Sequence, residues 1–345
     1  MSLTNHERPG VYSTYTASSV VSGRSGGKVV GLAALYADGT AGEVIRLTRW
    51  EEAGEKFGQD ETITELIRLI LLNGASAVAA APAPTEEDYE DAFAALEKEE
   101  DVKVVVCDST ALTVQQALRD SVAAASQARK ERIGVVGGGA DETVSALTTR
   151  AQGLNSERMV LAAPAVEGST GAQTAAALAG AIAGESDPAL PLGGAQLLGL
   201  GTLETQYNDS EIDLLVQGGV TPVETVAGVT SVVRGITTRT KTGEAADATW
   251  RELTTILIVD DVIPGIRDSL RSRFTRSKNT EQTRGAIRSQ VVLELENRLS
   301  REIIAGYDGV TAEPLEEDPT VCLVEFSFSV AHGLNQIWLS AHITV

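Results

Sequence analysis

Catalysis needs a constellation of side chains, and a few stretches of this sequence offer the beginnings of one. Gly23-Arg24-Ser25-Gly26-Gly27 matches the G-x-S-x-G pattern of a nucleophile elbow. An elbow needs a strand before the serine and a helix after it. Here an uncharged arm precedes and an apolar strand follows, so the stretch reads as a linker. Gly26-Gly27-Lys28 hints at a phosphate loop. However, Val29 stands where Ser or Thr must hold magnesium, and Ser22 replaces the first glycine. Gly137-Gly138-Gly139 lies between a strand and a helix, the setting of a dinucleotide turn. Glu142 occupies the third glycine position, so the fingerprint fails and a tight turn is expected. Asp260-Asp261 follows an apolar run and reads as a helix cap or turn rather than a metal site. The three histidines, His6, His332 and His342, lie near the two ends, away from the α/β body where such an enzyme keeps its acid–base and zinc groups. No paired-Cys zinc spacing and no D-x-D-x-D-G calcium loop occurs. The expectation is no catalytic centre, no metal and no cofactor. The competing reading is a doubly wound α/β nucleotide-binding enzyme.

The elements that would position such groups follow from composition and pattern. The chain has 345 residues, 43% of them hydrophobic, enough for one large domain or two ordinary ones. The apolar run Leu66 to Leu72 is broken by Arg68, and no apolar run reaches the roughly 20 residues of a spanning helix. The first residues carry no signal-peptide core, so a cytoplasmic start is expected. Cys107 and Cys322 sit among apolar strand residues and read as reduced, buried thiols. Net charge is −20, which argues against nucleic acid as a partner. The charge is uneven: Arg234 to Arg301 holds 13 Lys and Arg against 9 Asp and Glu, a local +4 that leaves −24 elsewhere. A basic patch on an acidic body asks for an acidic partner.

Residues 1–22 read as an arm: a Pro9-Gly10 turn, then an uncharged β segment with Val11, Tyr12 and Tyr15. Gly23, Gly26 and Gly27 form a flexible joint after it. Apolar strands at 29–35, 102–107, 133–136 and 159–163 alternate with helices at about 62–74, 85–98, 112–130 and 171–183, with Thr62 and Asp141 as caps. Such alternation indicates a mostly parallel sheet covered on both faces. Beyond about 227 the pattern changes. A strand is expected over 229–238, an apolar helix or strand that turns basic over 250–274, an amphipathic helix over 286–305 and an acidic loop over 313–319. Val324, Phe326, Phe328 and Val330 then alternate with polar residues, as do Ile337, Leu339 and Ile343 further on. That last strand pairs either within its own fold or with a neighbour.

Several stretches together resemble the tail sheath family of contractile phages and phage-derived bacteriocins. They are Arg8-Pro9-Gly10-Val11-Tyr12, Phe57-Gly58 followed by Asn73-Gly74-Ala75, Glu211 through Gly218-Gly219-Val220, and Val233-Arg234-Gly235-Ile236-Thr237-Thr238. The basic stretch and the helix from Arg284 to Tyr307 resemble the family's tube-facing segment. Unlike larger sheaths, the sequence lacks big inserted domains. The resemblance implies an outer α/β domain at 23–225 with a mostly parallel sheet. It also implies an α+β inner domain at 226–345 whose sheet is completed by arms exchanged between subunits, the N-terminal arm and a C-terminal arm at about 331–345. Val11, Tyr12, Tyr15, Ile337, Leu339 and Ile343 would form the arms, with Gly23, Gly26 and Gly27 as hinge. Arg271, Arg273, Arg276, Lys278, Arg284 and Arg288 would face an acidic inner tube. The implied product is a helical sleeve of stacked rings that also meets baseplate and tail terminator proteins. It would assemble in the bacterial host cytoplasm and end in a virion tail or a released bacteriocin-like particle.

Overall fold

The computed structural model describes residues 27–335 and 337–342. The first part runs β1 (Val29–Leu35), β2 (Ile45–Leu47), α1 (Trp50–Phe57), α2 (Thr62–Leu72), β3 (Ala77–Ala83), α3 (Tyr89–Leu96), β4 (Val102–Cys107) and α4 (Leu112–Gln127). It continues with β5 (Ile133–Gly137), α5 (Val144–Leu154), β6 (Met159–Ala163), α6 (Ala172–Gly184), α7 (Asp209–Gln217), β7 (Thr221–Val226) and β8 (Val229–Val232). The eight strands form one sheet in the order β2-β3-β1-β4-β5-β6-β7-β8. The six inner strands are parallel and each edge strand is antiparallel.

The strands are apolar at successive positions because both faces are covered. Val30, Leu32 and Ala34 of β1 point into a core with Leu66, Ile67 and Ile70 of α2 and Leu178 and Ile182 of α6. Val29 and Ala33 point the other way, into a core with Phe93, Leu118, Leu147 and Leu154 of α3, α4 and α5. This alternation is the two-residue period of a strand.

The second part holds a short hairpin, β9 (Lys241–Thr242) with β10 (Ala245–Ala246), then α8 (Leu253–Phe274), α9 (Glu281–Ser300), β11 (Ile304–Pro314) and β12 (Cys322–Val330). The last two strands pair antiparallel. Ile258, Val262 and Ile266 of α8, Val291 and Leu295 of α9, and Ile303, Ile304 and Val310 make a third core. The expected division at 225/226 falls within the β7–β8 hairpin, both strands of which belong to the large sheet.

Several expected boundaries move, each for a local reason. Thr62 is the first residue of α2 rather than its cap, and Thr64 Oγ1 donates to the Gly58 carbonyl at 2.7 Å. Asp141 has a left-handed backbone (φ +56°) and does not cap α5; Thr143 does, accepting from the Ala146 N–H at 3.3 Å. The expected strand over 229–238 stops at Val232. Beyond it the chain bonds to β6 and β7 one group at a time: Thr238 N–H donates to the Met159 carbonyl and Ile236 N–H to Thr221 Oγ1. The last long helix begins at Glu281 and ends at Ser300, not 305. The left-handed Glu302 (φ +59°) reverses the chain, and the Ile303 N–H closes back on the Arg298 carbonyl. Asp260 and Asp261 lie inside α8, so they form neither cap nor turn. Cys107 is buried as expected, but Cys322 is only half-buried.

Candidate assembly surfaces

In an open α/β sheet a ligand sits beyond the carboxyl ends of the strands where the strand order reverses. Here that point lies between β1 and β4, and the chain's own groups fill it. Asp108, just past β4, accepts from the Leu35 N–H at 3.1 Å and from the Tyr89 hydroxyl. Burial pushes the Asp108 carboxyl above its usual range, with the Tyr89 bond opposing.

The Gly137-Gly138-Gly139 turn is closed in the same way. Gly137 lies backbone to backbone against Gly171: a Cβ on Gly137 would meet the Gly171 carbonyl at 2.2 Å. The Glu142 carboxylate lies against the next two glycines, 3.3 Å and 3.0 Å from where their Cβ atoms would stand. Arg150 grips that carboxylate with two N–H groups, while its Nη1 donates to the Thr110 carbonyl at 2.6 Å and to Gln115 Oε1 at 3.2 Å. Burial alone would raise the Glu142 carboxyl, but the Arg150 bonds bring it below the ordinary range. A resident carboxylate thus occupies the turn where a nucleotide phosphate would have to sit.

The aspartates of α8 are structural. Asp260 takes a two-pronged bond from Arg158, at 2.7 and 2.9 Å, with both side chains about 15% exposed. One face of α8 is tied to the sheet body by this pair and by Arg267 to Glu131 at 2.7 Å. Burial holds the Asp260 carboxyl above its usual range even against Arg158. Asp261 pairs instead with Arg298 of α9 at 3.0 Å. Arg298 also donates to the Asp261 backbone carbonyl at 3.0 Å, which lies beside the helix-interior Pro264. Gly265 makes room for it, since a Cβ there would stand 2.0 Å from Arg298 Nη2. Pro264 lacks the N–H that the Asp260 carbonyl would accept in a regular helix, and the guanidinium bonds the next carbonyl along, that of Asp261.

The basic residues gather at one end of the α8–α9 pair. Arg271 and Arg273 end α8, Arg276 and Lys278 lie in the connection, and Arg284 and Arg288 are in the first turns of α9. All are exposed except Arg284, which is half-buried. Arg273 donates to Gln290 Oε1, and Arg284 to Asn279 Oδ1 at 3.1 Å. Among the described residues none of the six pairs with a carboxylate, whereas Arg267 and Arg298 further along the same helices do. Arg284 and Arg288 line a cleft with Glu281 and Glu313.

The β11–β12 ribbon stands on α9 through one face only. Val324, Phe326, Phe328 and Val330 pack on the third core, and the intervening residues of β12 are exposed. Beyond Val330 the described residues form no strand. Ile337 and Leu339, expected in the C-terminal arm, are 80% and 92% exposed. Val11, Tyr12, Tyr15, Gly23, Gly26 and Ile343 lie outside the described residues. Gly27 is packed tightly: a Cβ there would meet the Gly74 carbonyl at 2.4 Å. The Arg150 clamp on Glu142, the Arg158–Asp260 tie and the Arg298 brace escape a sequence reading, because each joins residues whose nearness only the fold creates.

Two family models match in order along the chain. The phage tail sheath protein central domain covers residues 83–238, and the phage tail sheath C-terminal domain covers residues 245–344. The chain belongs to the phage tail sheath family. The tail sheath protein of Bacillus phage SP01 is 28% identical over 253 residues, covering 70% of this chain and 43% of that protein. The tail sheath protein of Mycobacterium phage Bxz1 is 26% identical over 357 residues, covering 94% and 60%. The chain therefore spans about half the length of these curated relatives. Among solved structures, the sheath complex of an extracellular contractile injection system in its contracted state is similar in fold. Its TM-score is 0.75 at 16% identity, over 99% of both chains. A sheath fold thus accounts for the parallel sheet and the helices flanking it.

Proposed function

We propose that this chain is a structural subunit of a contractile tail sheath. Copies polymerise as a helical sleeve around an inner tube, and a change of packing drives the tube through a target envelope. The observation that carries this reading is the ordered match of both sheath domains over residues 83–344. In this reading residues 23–225 form the outer domain and 226–345 the inner one, with residues 1–22 and about 331–345 as arms that add strands to neighbouring subunits. The one-sided β11–β12 ribbon and the exposed Ile337 and Leu339 support it, since both offer apolar or main-chain groups to a partner. A hinge is proposed at Gly23 and Gly26; the close packing of Gly27 argues against bending there.

The cations at the tip of the α8–α9 pair are proposed to dock on an acidic tube. Exposed ion pairs are worth roughly 0–1 kcal/mol each, so six per subunit hold collectively yet release singly. Contact with baseplate and terminator proteins, assembly in a bacterial cytoplasm and residence in a virion tail or bacteriocin-like particle belong to the same reading. The filled Asp108 and Glu142 sites argue against the nucleotide-enzyme alternative.

Negative-stain microscopy of the purified protein tests the proposal. Hollow cylinders are expected from the full chain, and none after deletion of residues 334–345, with the circular dichroism of the α/β body retained. A full chain that stays single at every concentration, or a truncated one that still builds cylinders, overturns it.

A further inference from the structure

The described structure begins at Gly27, the root of the N-terminal segment, and the C-terminal segment leaves the fold at Gly333. Both roots are places where only glycine fits. A Cβ on Gly27 would stand 2.4 Å from the Gly74 carbonyl and 3.0 Å from the Ser76 nitrogen. A Cβ on Gly333 would stand 2.1 Å from Cγ of Pro191. Real Cβ atoms do not approach other atoms so closely, so each root is seated against the body with no slack.

The two seats are joined by a short path of stiff contacts. Gly74 lies against Gly184 at the end of α6, where a Cβ on Gly184 would meet the Gly74 Cα at 2.9 Å. The backbone of Lys28 donates to the Ala183 carbonyl at 2.9 Å, and its ammonium reaches the Glu185 carbonyl at 3.3 Å. From Glu185 the chain runs to Pro191 as a braced loop. The Ser186 and Asp187 N–H groups donate to Glu185 Oε1, the Ala189 N–H to Asp187 Oδ1 and the Leu190 N–H to the Asp187 carbonyl. Pro188 and Pro191 fix two backbone angles. Ala189 touches the third core and Leu192 is buried in the first.

We infer that the 185–191 loop is a strap that couples the seat of the N-terminal segment at Gly27 to the seat of the C-terminal segment at Gly333, so that a displacement at one seat is felt at the other. Within the sheath reading, on which the role of these segments rests, the strap couples the bases of the two arms of one subunit, while the proposed hinge at Gly23 and Gly26 lies beyond the N-terminal base. Pro191 and Gly333 are positioning residues in this scheme.

A double-mutant cycle read by amide hydrogen exchange on the unassembled chain tests the coupling. The probes are the Lys28 and Ser76 amides, which donate to Ala183 and Lys28 at the N-terminal seat. The Val105 and Val135 amides in the sheet centre serve as reference. Gly333→Ala is expected to speed exchange at Lys28 and Ser76 on the order of tenfold, the scale of an overpacked contact, with the reference amides unchanged. In a Pro191→Gly background, which removes the ring that the new methyl strikes, Gly333→Ala should have no effect. Unchanged exchange at Lys28 and Ser76, an equal rise at the reference amides, or an effect of the same size in the Pro191→Gly background each overturns the strap. Microscopy of the same variants reads the sheath proposal separately. If the unaltered chain forms no cylinders, that reading fails while the exchange cycle still decides the coupling.

Discussion

The eight-stranded body and the α8–α9 unit satisfy their groups to different degrees. In the body, β3, β5 and β6 are buried along their whole length. Several of its arginines are also paired, Arg46 with Asp101, Arg68 with Glu65 and Arg150 with Glu142. In the α8–α9 unit β12 alternates between half-buried and exposed from end to end, and six cations at one tip have no carboxylate partner among the described residues. One region pairs much of what it buries internally, and the other leaves one strand face and a cluster of cations open to solvent. Substitutions in the body should therefore act on folding, and those at the tip of the α8–α9 unit, on the proposed reading, on association.

The sharpest break of this contrast lies where the two regions meet. Arg158→Ala leaves Asp260, only about 15% exposed, without its partner, and should lower stability by about 4 kcal/mol in urea unfolding, as removal of one half of a buried pair does. Next in size, Leu66→Ala at the fully buried centre of the first core should cost about 3 kcal/mol by the same measurement. Glu142→Gln should cost about 2 kcal/mol at pH 7, the scale of hydrogen bonds to a charged group. The folded Glu142 carboxyl lies below its unfolded value, so its contribution is present above that unfolded value, near pH 4.3. It fades as pH falls through the folded value, so the gap between wild type and Glu142→Gln should close in acid. The smallest effect on folding belongs to the α8–α9 unit. Reversing Arg273 and Arg276 to Glu should change stability by no more than about 0.5 kcal/mol, yet abolish co-sedimentation of cylinders with an acidic tube. Assembly on the tube that survives this reversal removes the docking role of the tip.

The strands of the body were legible because burial on both faces writes a continuous apolar run: Val102–Cys107 and Met159–Ala163 match residue for residue. The alternation in β12 was legible for the opposite reason, one face packed and one open. Helix ends were not, because distant residues decide them. Asp141 looks like a cap, but its N–H is taken by Glu204, 63 positions away, and Thr143 caps instead. Arg234-Gly235-Ile236-Thr237-Thr238 reads as a strand but bonds piecemeal to Thr221, Arg251 and Met159. The basic tip was visible in the sequence as a charge cluster. The Glu142 plug had a visible sign, the failed third glycine, but its Arg150 clamp depends on the packing of α5 beneath the turn.

The long helix α8 belongs to two cores at once. Leu253 and Ile256 are built into the first, while Ile258, Val262 and Ile266 are built into the third. Neither region can melt without stripping neighbours from a helix that the other still needs. Calorimetry of the single chain should then trace one endotherm rather than two, and heat would take the inner hairpin and the central sheet apart together.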